Sequence, residues 1–392
     1  MKSNLLRCAG LLLLPISLLA SFSASADDAP ARSKEIAAAL RPFVDAGSLA
    51  GAVTLVADKD KVLSRDAVGY ADIAAKKPMK ADTLFWIASQ SKPITAAALM
   101  MLVDEGKVKL DDPVAKHLPE FNDQWLVVKQ DEAHLLLEKP KRAITIRDIL
   151  SHTSGMPFAS VMERPTLDLL PLRDAVRSYA MTPLRFEPGS KYQYSNAGIN
   201  TAGRVIEVVS GKSYEEFLEN RLFEPLGMKD TTFWPNKEQL TRLAKSYKPN
   251  AAKTGLDETT VRQLKYPLDD RKRQPMPAGG LFSTADDIGK FCRMVLGRGR
   301  FDGKRYLSEG AVKQMTSKQT GDSVKEGYGL GWSTSGDSFG HGGAYATNMN
   351  IDSKRGLITV FMVQHAGFPG DGGKSHAAFR RVAEERFGKP RK

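Results

Sequence analysis

The chain has 392 residues and a formal net charge of +12, with 57 lysine and arginine residues against 45 acidic ones. This length suits one large domain or two intertwined domains, with ample sequence for a hydrophobic core. The charge favours anionic surroundings such as wall polymers or lipid headgroups, but the basic residues are scattered without an aromatic stacking platform, so nucleic acid is not expected as a partner.

The N-terminal segment has the pattern of an export signal. Two basic residues precede the apolar stretch Leu11–Leu19, and the small residues Ala24–Ala26 follow it. The apolar stretch is too short for a membrane-spanning helix, which needs about 20 residues; a retained anchor is the alternative. We predict a signal peptide over 1–26, cleavage near Ala26, and an exported protein, periplasmic or secreted, with no stable membrane span.

The two cysteines limit the redox chemistry of the chain. Cys8 lies within the predicted signal peptide, so the mature protein would keep only Cys292 and could form no intrachain disulfide. Cys292 lies in a helical run of apolar residues, which predicts a buried structural thiol and not a nucleophile.

Hydrophobic periodicity and turn residues predict the secondary structure along the chain. The predicted elements are, in chain order, a helix over 33–44, strands over 51–56 and 62–68, a buried helix from 89 to 105, short helices and loops over 111–275, a helix after 280, strands over 328–332 and 357–363, and a helix over 376–387. Strands at both ends predict a sheet domain formed by 27–110 and 275–392, with a mostly helical domain over 111–274 inserted. A ligand site is expected in the cleft between them.

The first candidate site runs from Ser89 to Lys92, at the start of the buried helix. Serine is a poor nucleophile unless a neighbouring group accepts its proton. Residues three apart share a helix face, so the Lys92 amine is expected beside the Ser89 hydroxyl. To act as a base near neutral pH, Lys92 needs a pKa far below its reference value of about 10.4, which burial or a neighbouring cation could supply.

A tyrosine and an asparagine form the second candidate element, about a hundred residues later. The Tyr194 hydroxyl could relay the proton of Ser89 to a leaving group. Asn196, two residues further on, would hydrogen-bond the substrate and hold Lys92 in place.

The third candidate element is the triplet His341, Gly342 and Gly343. Two glycines after a polar residue allow a strand edge to approach a ligand closely. The backbone N–H of Ala344 could then join that of Ser89 as an oxyanion hole, in which each donor is typically worth about 100-fold or more in rate.

The order of these three elements resembles the penicillin-recognising serine hydrolases, and most of all the branch similar to class C β-lactamases. The resemblance covers nearly the whole predicted mature chain, from about 36 to 387. It includes four framing phrases, which are Phe85–Ser89, Leu150–Gly155, Pro225–Met228 and Ala278–Leu281.

This resemblance implies a fold, a chemistry and roles for the candidate residues. The implied fold is an α/β (α+β) fold of the β-lactamase/transpeptidase type, an antiparallel sheet flanked by helices with a mostly helical inserted domain. No metal or cofactor is implied. The implied roles are nucleophile for Ser89, proton transfer for Lys92 and Tyr194, and substrate binding for Asn196, His341, Gly342 and Gly343.

His341 departs from the family pattern, because β-lactamases of this branch usually carry lysine there to meet the substrate carboxylate. Histidine is mostly neutral at pH 7. The histidine triplet instead resembles some family VIII-type esterases, D-alanyl-D-alanine carboxypeptidases and D-aminopeptidases. We therefore expect a small carboxylic ester as substrate first, a D-amino-acid peptide such as cell-wall peptide second, and a β-lactam third. Segments 121–139 and 161–172 are expected to set specificity.

The sequence also allows three other classes of protein to be considered: an α/β-hydrolase, a metalloenzyme and a non-catalytic sensor. Gly336–Gly340 matches the G-x-S-x-G elbow of α/β-hydrolases, but that elbow needs a strand-to-helix turn and more chain after Ser338. The six histidines lack metal-ligand spacing. A non-catalytic penicillin-binding sensor would carry the same residues without turnover. His152, in a framing phrase, is interpreted as structural, and the sequence gives no oligomeric state.

Overall fold

The structure, a computed structural model, describes residues 34–390, so the predicted signal peptide lies outside the described residues. The helices are α1 Lys34–Asp45, α2 Ser91–Asp104, α3 Ile146–Ser151, α4 Leu172–Ala180, α5 Asn196–Ser210, α6 Tyr214–Leu218, α7 Glu224–Leu226, α8 Lys237–Arg242, α9 Ala285–Leu296, α10 Glu309–Thr316 and α11 Ser375–Phe387. Short 3₁₀ turns span Ala88–Gln90, Val114–Lys116, Pro119–Phe121 and Gly372–Lys374, and one π turn spans Glu219–Phe223.

The strands occur mainly near the two ends of the described chain. They are β1 Gly51–Ala57, β2 Val62–Asp72, β3 Lys77–Pro78, β4 Phe85–Trp86, β5 Leu126–Gln130, β6 Leu135–Glu138, β7 Ser246–Pro249, β8 Leu256–Thr259, β9 Phe282–Ser283, β10 Arg300–Phe301, β11 Lys304–Arg305, β12 Ser333–Ser335, β13 Ser338–Gly342, β14 Asn348–Asp352 and β15 Leu357–Met362. Seven of them form one antiparallel sheet in the order β12-β13-β14-β15-β1-β2-β3.

Strand β1 lies inside this sheet and is buried along its whole length. Side chains alternate across a strand, so its residues enter two different cores. Val53 and Leu55 share a core with α2 and α9, whereas Ala52 and Val56 share one with α1 and α11. The sheet is therefore covered by helices on both faces, which confirms the predicted fold class. The predicted domain boundaries stay a prediction.

Helix α2 is buried on nearly every side, as its apolar composition predicts. It packs against α5 from the middle of the chain and against α10. Its first turn follows the 3₁₀ turn Ala88–Gln90, so the segment that carries Ser89 and Lys92 is fixed at the centre of the protein. Within the described residues, no helix is long and apolar enough to cross a membrane.

The strand predicted over 328–332 is wrong. Tyr328 makes one isolated bridge, to Ser333. Two of the next backbone N–H groups donate to the ends of helices, Leu330 N to Met315 O and Gly331 N to Leu150 O. Gly331 has φ of +74°, which an extended strand does not accommodate. This irregular segment packs directly against the backbone of α2.

The contact between α5 and the loop that precedes Ala278–Leu281 provides a test of packing. A Cβ at Gly203 would overlap the ring of Pro277, and overpacking typically costs about 1–3 kcal/mol. We expect Gly203→Ala to lower the free energy of unfolding by about that amount, measured by urea denaturation.

The matched control is Gly310 in α10, where an added Cβ meets nothing closer than Ser308 Oγ at 3.7 Å. Gly310→Ala should raise the free energy of unfolding by about 0.5–1 kcal/mol through helix propensity. Equal effects of the two substitutions would contradict the described packing at Gly203.

Candidate active site

Ser89 lies in the 3₁₀ turn that leads into α2, and this turn is held from several directions. Ala88 adopts φ of +47°, a strained value for a residue with a side chain. The Ser91 hydroxyl donates to Ala88 O at 2.7 Å, and the N–H of Ile87 donates to Leu281 O at 3.0 Å. Ser89 is half-buried, so its hydroxyl stays accessible to a substrate.

The Lys92 amine meets three oxygen atoms. Its Nζ lies 3.0 Å from Ser89 Oγ, 2.8 Å from Asn196 Oδ1 and 2.7 Å from Ala278 O. The amide and carbonyl oxygens can only accept hydrogen bonds. A neutral amine therefore directs its two hydrogens to Asn196 and Ala278, which leaves its lone pair for the hydroxyl hydrogen of Ser89.

Burial determines the charge of this amine. Lys92 is completely buried, and desolvation lowers its pKa well below 10.5. Among the described residues, no carboxylate forms an ion pair with Lys92. Nothing negative offsets the cost of burying the ammonium, so the site favours the neutral amine that a general base requires.

The Tyr194 ring lies beside the same amine, with Lys92 Nζ 4.6 Å from the ring centroid. Burial raises the pKa of the Tyr194 hydroxyl above its ordinary value of 10, and a hydrogen bond with the Ser89 side chain opposes this only in part. Tyr194 therefore keeps its proton at neutral pH and can give it to a departing group.

The N-terminus of α5 fixes Asn196. The Ser195 side chain accepts from Gly198 N at 3.1 Å, an N-cap that starts the helix, and it donates to Pro157 O at 2.6 Å. The Asn196 N–H donates to Phe158 O at 2.9 Å. Backbone and cap thus hold the Asn196 amide against the amine of Lys92.

His341, at the sheet edge, has both ring nitrogens engaged. Nδ1 donates to Gly342 O at 2.7 Å, so Nε2 is the acceptor for the Tyr328 hydroxyl at 2.9 Å. Burial and the nearby Lys92 lower the pKa of His341 to about 3. The imidazole is therefore neutral at pH 7 and provides no fixed cation. Substrate binding by His341 stays a prediction.

The glycines after His341 bring the strand end close to the nucleophile. Gly343 N donates to Thr347 O at 2.7 Å, and a Cβ on Gly343 would lie 2.6 Å from Ile87 O, two residues before Ser89. Among the described residues, no acceptor is found for the backbone N–H groups of Ser89 and Ala344. Both are available for the predicted oxyanion hole.

From the sequence, no functional role was expected for two side chains, Tyr328 and His152, that lie among the aromatic rings of the site. Tyr328 is fully buried between His152 and His341. His152 lies 4.5 Å from the Tyr194 ring, centroid to centroid, and its Nδ1 accepts from Ser195 N at 3.2 Å. Tyr328 belongs to no motif, whereas the position of His152 in a framing phrase was the available signal.

The competing elbow motif lies elsewhere and has the wrong geometry. Ser338 opens strand β13 directly after a hairpin turn from β12. A nucleophile elbow connects a strand to a helix. Cys292 is buried and burial raises the pKa of its thiol, as expected for a structural cysteine.

The assignment of Lys92 as base has a direct chemical test. We expect Lys92→Met to reduce the rate of Ser89 labelling by a fluorophosphonate by about 100-fold or more, because the hydroxyl loses its proton acceptor. Methionine conserves the buried volume, so circular dichroism should report a folded protein.

Lys116→Met is the matched control, because Lys116 is exposed and paired with Asp112 at 2.9 Å, outside the site. It should label at the wild-type rate. Wild-type labelling by folded Lys92→Met protein would contradict the assignment.

Comparisons with known proteins identify the family and the fold of this chain. The chain matches the family described as Beta-lactamase over residues 36–383. It is 34% identical over 369 residues to Protein Rv1367c of Mycobacterium tuberculosis, covering 84% of this chain and 89% of that protein. It is 33% identical over 264 residues to Esterase EstB of Burkholderia gladioli, covering 61% and 64%. The solved structure of EstCE1, a hydrolase with promiscuous acyltransferase activity, shares the fold with a TM-score of 0.74 at 24% identity, covering 89% and 97%.

Proposed function

This chain belongs to the β-lactamase family of serine hydrolases, and we propose that within this family it hydrolyses small carboxylic esters through an acyl-enzyme on Ser89. The proposal assigns the proton transfers to Lys92 and Tyr194. It is supported by the complete burial of Lys92, which favours the neutral amine, and by the contacts that hold this amine 3.0 Å from the Ser89 hydroxyl.

Acylation begins when the Lys92 amine takes the hydroxyl proton as Ser89 Oγ bonds to the ester carbonyl carbon. The carbonyl oxygen becomes an oxyanion, which the N–H groups of Ser89 and Ala344 stabilise. As the ester C–O bond breaks, Tyr194 gives its proton to the departing alkoxide and regains one from the Lys92 ammonium. Water then replaces the alcohol, and the same groups release the carboxylic acid and restore Ser89.

The observation that carries the choice of ester is the neutral state of His341. A substrate carboxylate near this position, as in a β-lactam or a peptide C-terminus, would meet no fixed cation from this side chain. A neutral ester needs none. The Esterase EstB relative supports the same choice.

The mouth of the site also suits an apolar substituent. Phe158 stacks on the Tyr194 ring at 6.4 Å between centroids and is 47% exposed. Val161 and Met162 follow on the same loop and are 80% and 58% exposed. We infer that this apolar loop contacts the acyl or alcohol group of the ester.

A substrate panel tests the proposed activity. We expect turnover of p-nitrophenyl acetate and butyrate, with slower or absent hydrolysis of D-Ala-D-Ala peptides and of nitrocefin. Ser89→Ala should abolish ester turnover, because no other nucleophile serves the acyl-enzyme.

Two outcomes would contradict the ester proposal. Turnover of the peptide or of the β-lactam faster than that of the esters would indicate a peptidase or a β-lactamase. Stable labelling of Ser89 by a penicillin without turnover of any substrate would instead indicate a sensor.

The role of the apolar loop is tested separately. We expect Phe158→Ala to raise KM for p-nitrophenyl hexanoate by roughly 10-fold, since burying a side chain of this kind is worth about 1.5–3 kcal/mol, and to change KM for the acetate much less. Leu136→Ala, an exposed residue of strand β6, is the matched control. An equal rise for both esters would contradict contact between Phe158 and the longer chain.

A further inference from the structure

The shortest contact of the Lys92 amine is to a backbone carbonyl outside any helix or strand. Ala278 O lies 2.7 Å from Nζ. A loop carbonyl keeps such a position only if its neighbours are held. Pro277 O accepts from the Thr95 hydroxyl at 2.8 Å, and the Ala278 N–H donates to Asn200 Oδ1 at 3.0 Å. Helices α2 and α5 thus hold the two residues from both sides.

Asn200 is itself held by a chain of buried hydrogen bonds. Its Nδ2 donates to the Tyr179 hydroxyl oxygen at 3.0 Å, and that hydroxyl donates to Glu163 Oε1 at 2.6 Å. The side chains of Asn200, Tyr179 and Glu163 are all at least 97% buried. The other carboxylate oxygen of Glu163 accepts from Ser160 N at 2.7 Å.

Every bond of this chain has one permitted direction. A carboxylate accepts, so the Tyr179 hydroxyl must donate to Glu163 and accept from the Asn200 amide. The amide oxygen is then left for the Ala278 N–H, which can only donate. Because no member can rotate without leaving a buried polar group unpaired, the chain fixes the position of Ala278.

We propose that Glu163, Tyr179 and Asn200 are positioning residues, which hold the Ala278 carbonyl against the Lys92 amine and so set the strength of the base. The inference rests on the proposed role of Lys92. None of the three touches the reacting atoms. Glu163 also accepts from Ser160 N in the apolar loop that contains Phe158. The same series of hydrogen bonds therefore connects this loop, which we propose contacts the substrate, to the Lys92 base.

The effect of the chain on protonation has a definite sign. A hydrogen bond from an ammonium to a carbonyl is stronger than one from a neutral amine. Loosening Ala278 O therefore disfavours the ammonium and lowers the pKa of Lys92. The other titratable groups that face the amine are Tyr194, His152 and His341, and burial keeps all three neutral at pH 7. Tyr179 is the titratable group that contacts Glu163, and no ion pair to Glu163 occurs among the described residues.

The test is Tyr179→Phe, which keeps the buried ring and removes the hydroxyl that joins Glu163 to Asn200. We expect the acid limb of kcat/KM for p-nitrophenyl butyrate to move to lower pH by roughly half a unit or more. We also expect kcat on the plateau to fall roughly 10-fold, because the base is misplaced, with KM nearly unchanged. The rate of Ser89 labelling by a fluorophosphonate should show the same pH shift.

Tyr247→Phe is the matched control. This buried tyrosine accepts from Ile73 N at 2.8 Å and is not part of the hydrogen-bonded series Glu163–Tyr179–Asn200. It loses a buried hydroxyl and should keep the wild-type pH profile. A Tyr179→Phe profile that superposes on this control would overturn the proposal. If Tyr179→Phe does not fold, Glu163→Gln is the second variant, because it perturbs the hydrogen bonds of Glu163 with little change in side-chain shape. An unshifted acid limb of kcat/KM in folded Glu163→Gln protein would also overturn the proposal.

The labelling readout separates this proposal from the proposed function. If the wild-type protein labels at Ser89 but turns over no ester, the substrate assignment has failed, and the pH shift of labelling still decides the role of the chain. If the wild-type protein hydrolyses esters and the variants match the control, only the positioning role has failed.

Discussion

The structure depends on one constraint, which is the burial of the Lys92 amine among oxygen acceptors, with no carboxylate of residues 34–390 paired to it. In water a lysine is protonated and cannot serve as a base at neutral pH. Here the surroundings make the charged form costly, while two acceptors remain to bind the hydrogens of the neutral form. The lone pair of the neutral amine faces Ser89. Both the geometry and the protonation state therefore favour removal of the Ser89 hydroxyl proton by Lys92.

Meeting this constraint requires elements from distant parts of the chain. Helix α2 must be buried on nearly every side, which its apolar composition allows. Helix α5 contributes Asn196 through a capped first turn, and the loop before β9 contributes Ala278. Strand β13 ends at Gly342, and Gly343 after it allows the next turn to approach the backbone just before the nucleophile. The sheet and its helices therefore keep water away from the Lys92 amine. Substitutions that disturb their packing should change the pKa of Lys92.

The sequence predicts much of this arrangement, for reasons that are local. The proximity of Lys92 to Ser89 follows from helix geometry, and the strands predicted over 51–56 and 62–68 correspond to β1 and β2 of the sheet. The strand expected over 328–332 failed because its backbone bonds go to helix ends, which is a tertiary effect. The Nε2 atom of His341 meets the Tyr328 hydroxyl, and we propose that the position of Ala278 depends on Glu163, Tyr179 and Asn200. Side chains so far apart in sequence carry no shared local signal, and only the folded chain brings them together.

The central claim is that Lys92 is a neutral amine in the resting protein, and NMR observes this directly. In protein labelled with ¹⁵N-lysine, the Nζ signal of Lys92, assigned by its loss in Lys92→Met, can be followed across pH. We expect this signal to titrate well below 10.5 and apart from the signals of the exposed lysines. Titration of Lys92 together with the exposed lysines, near the reference value of about 10.4, would contradict the account.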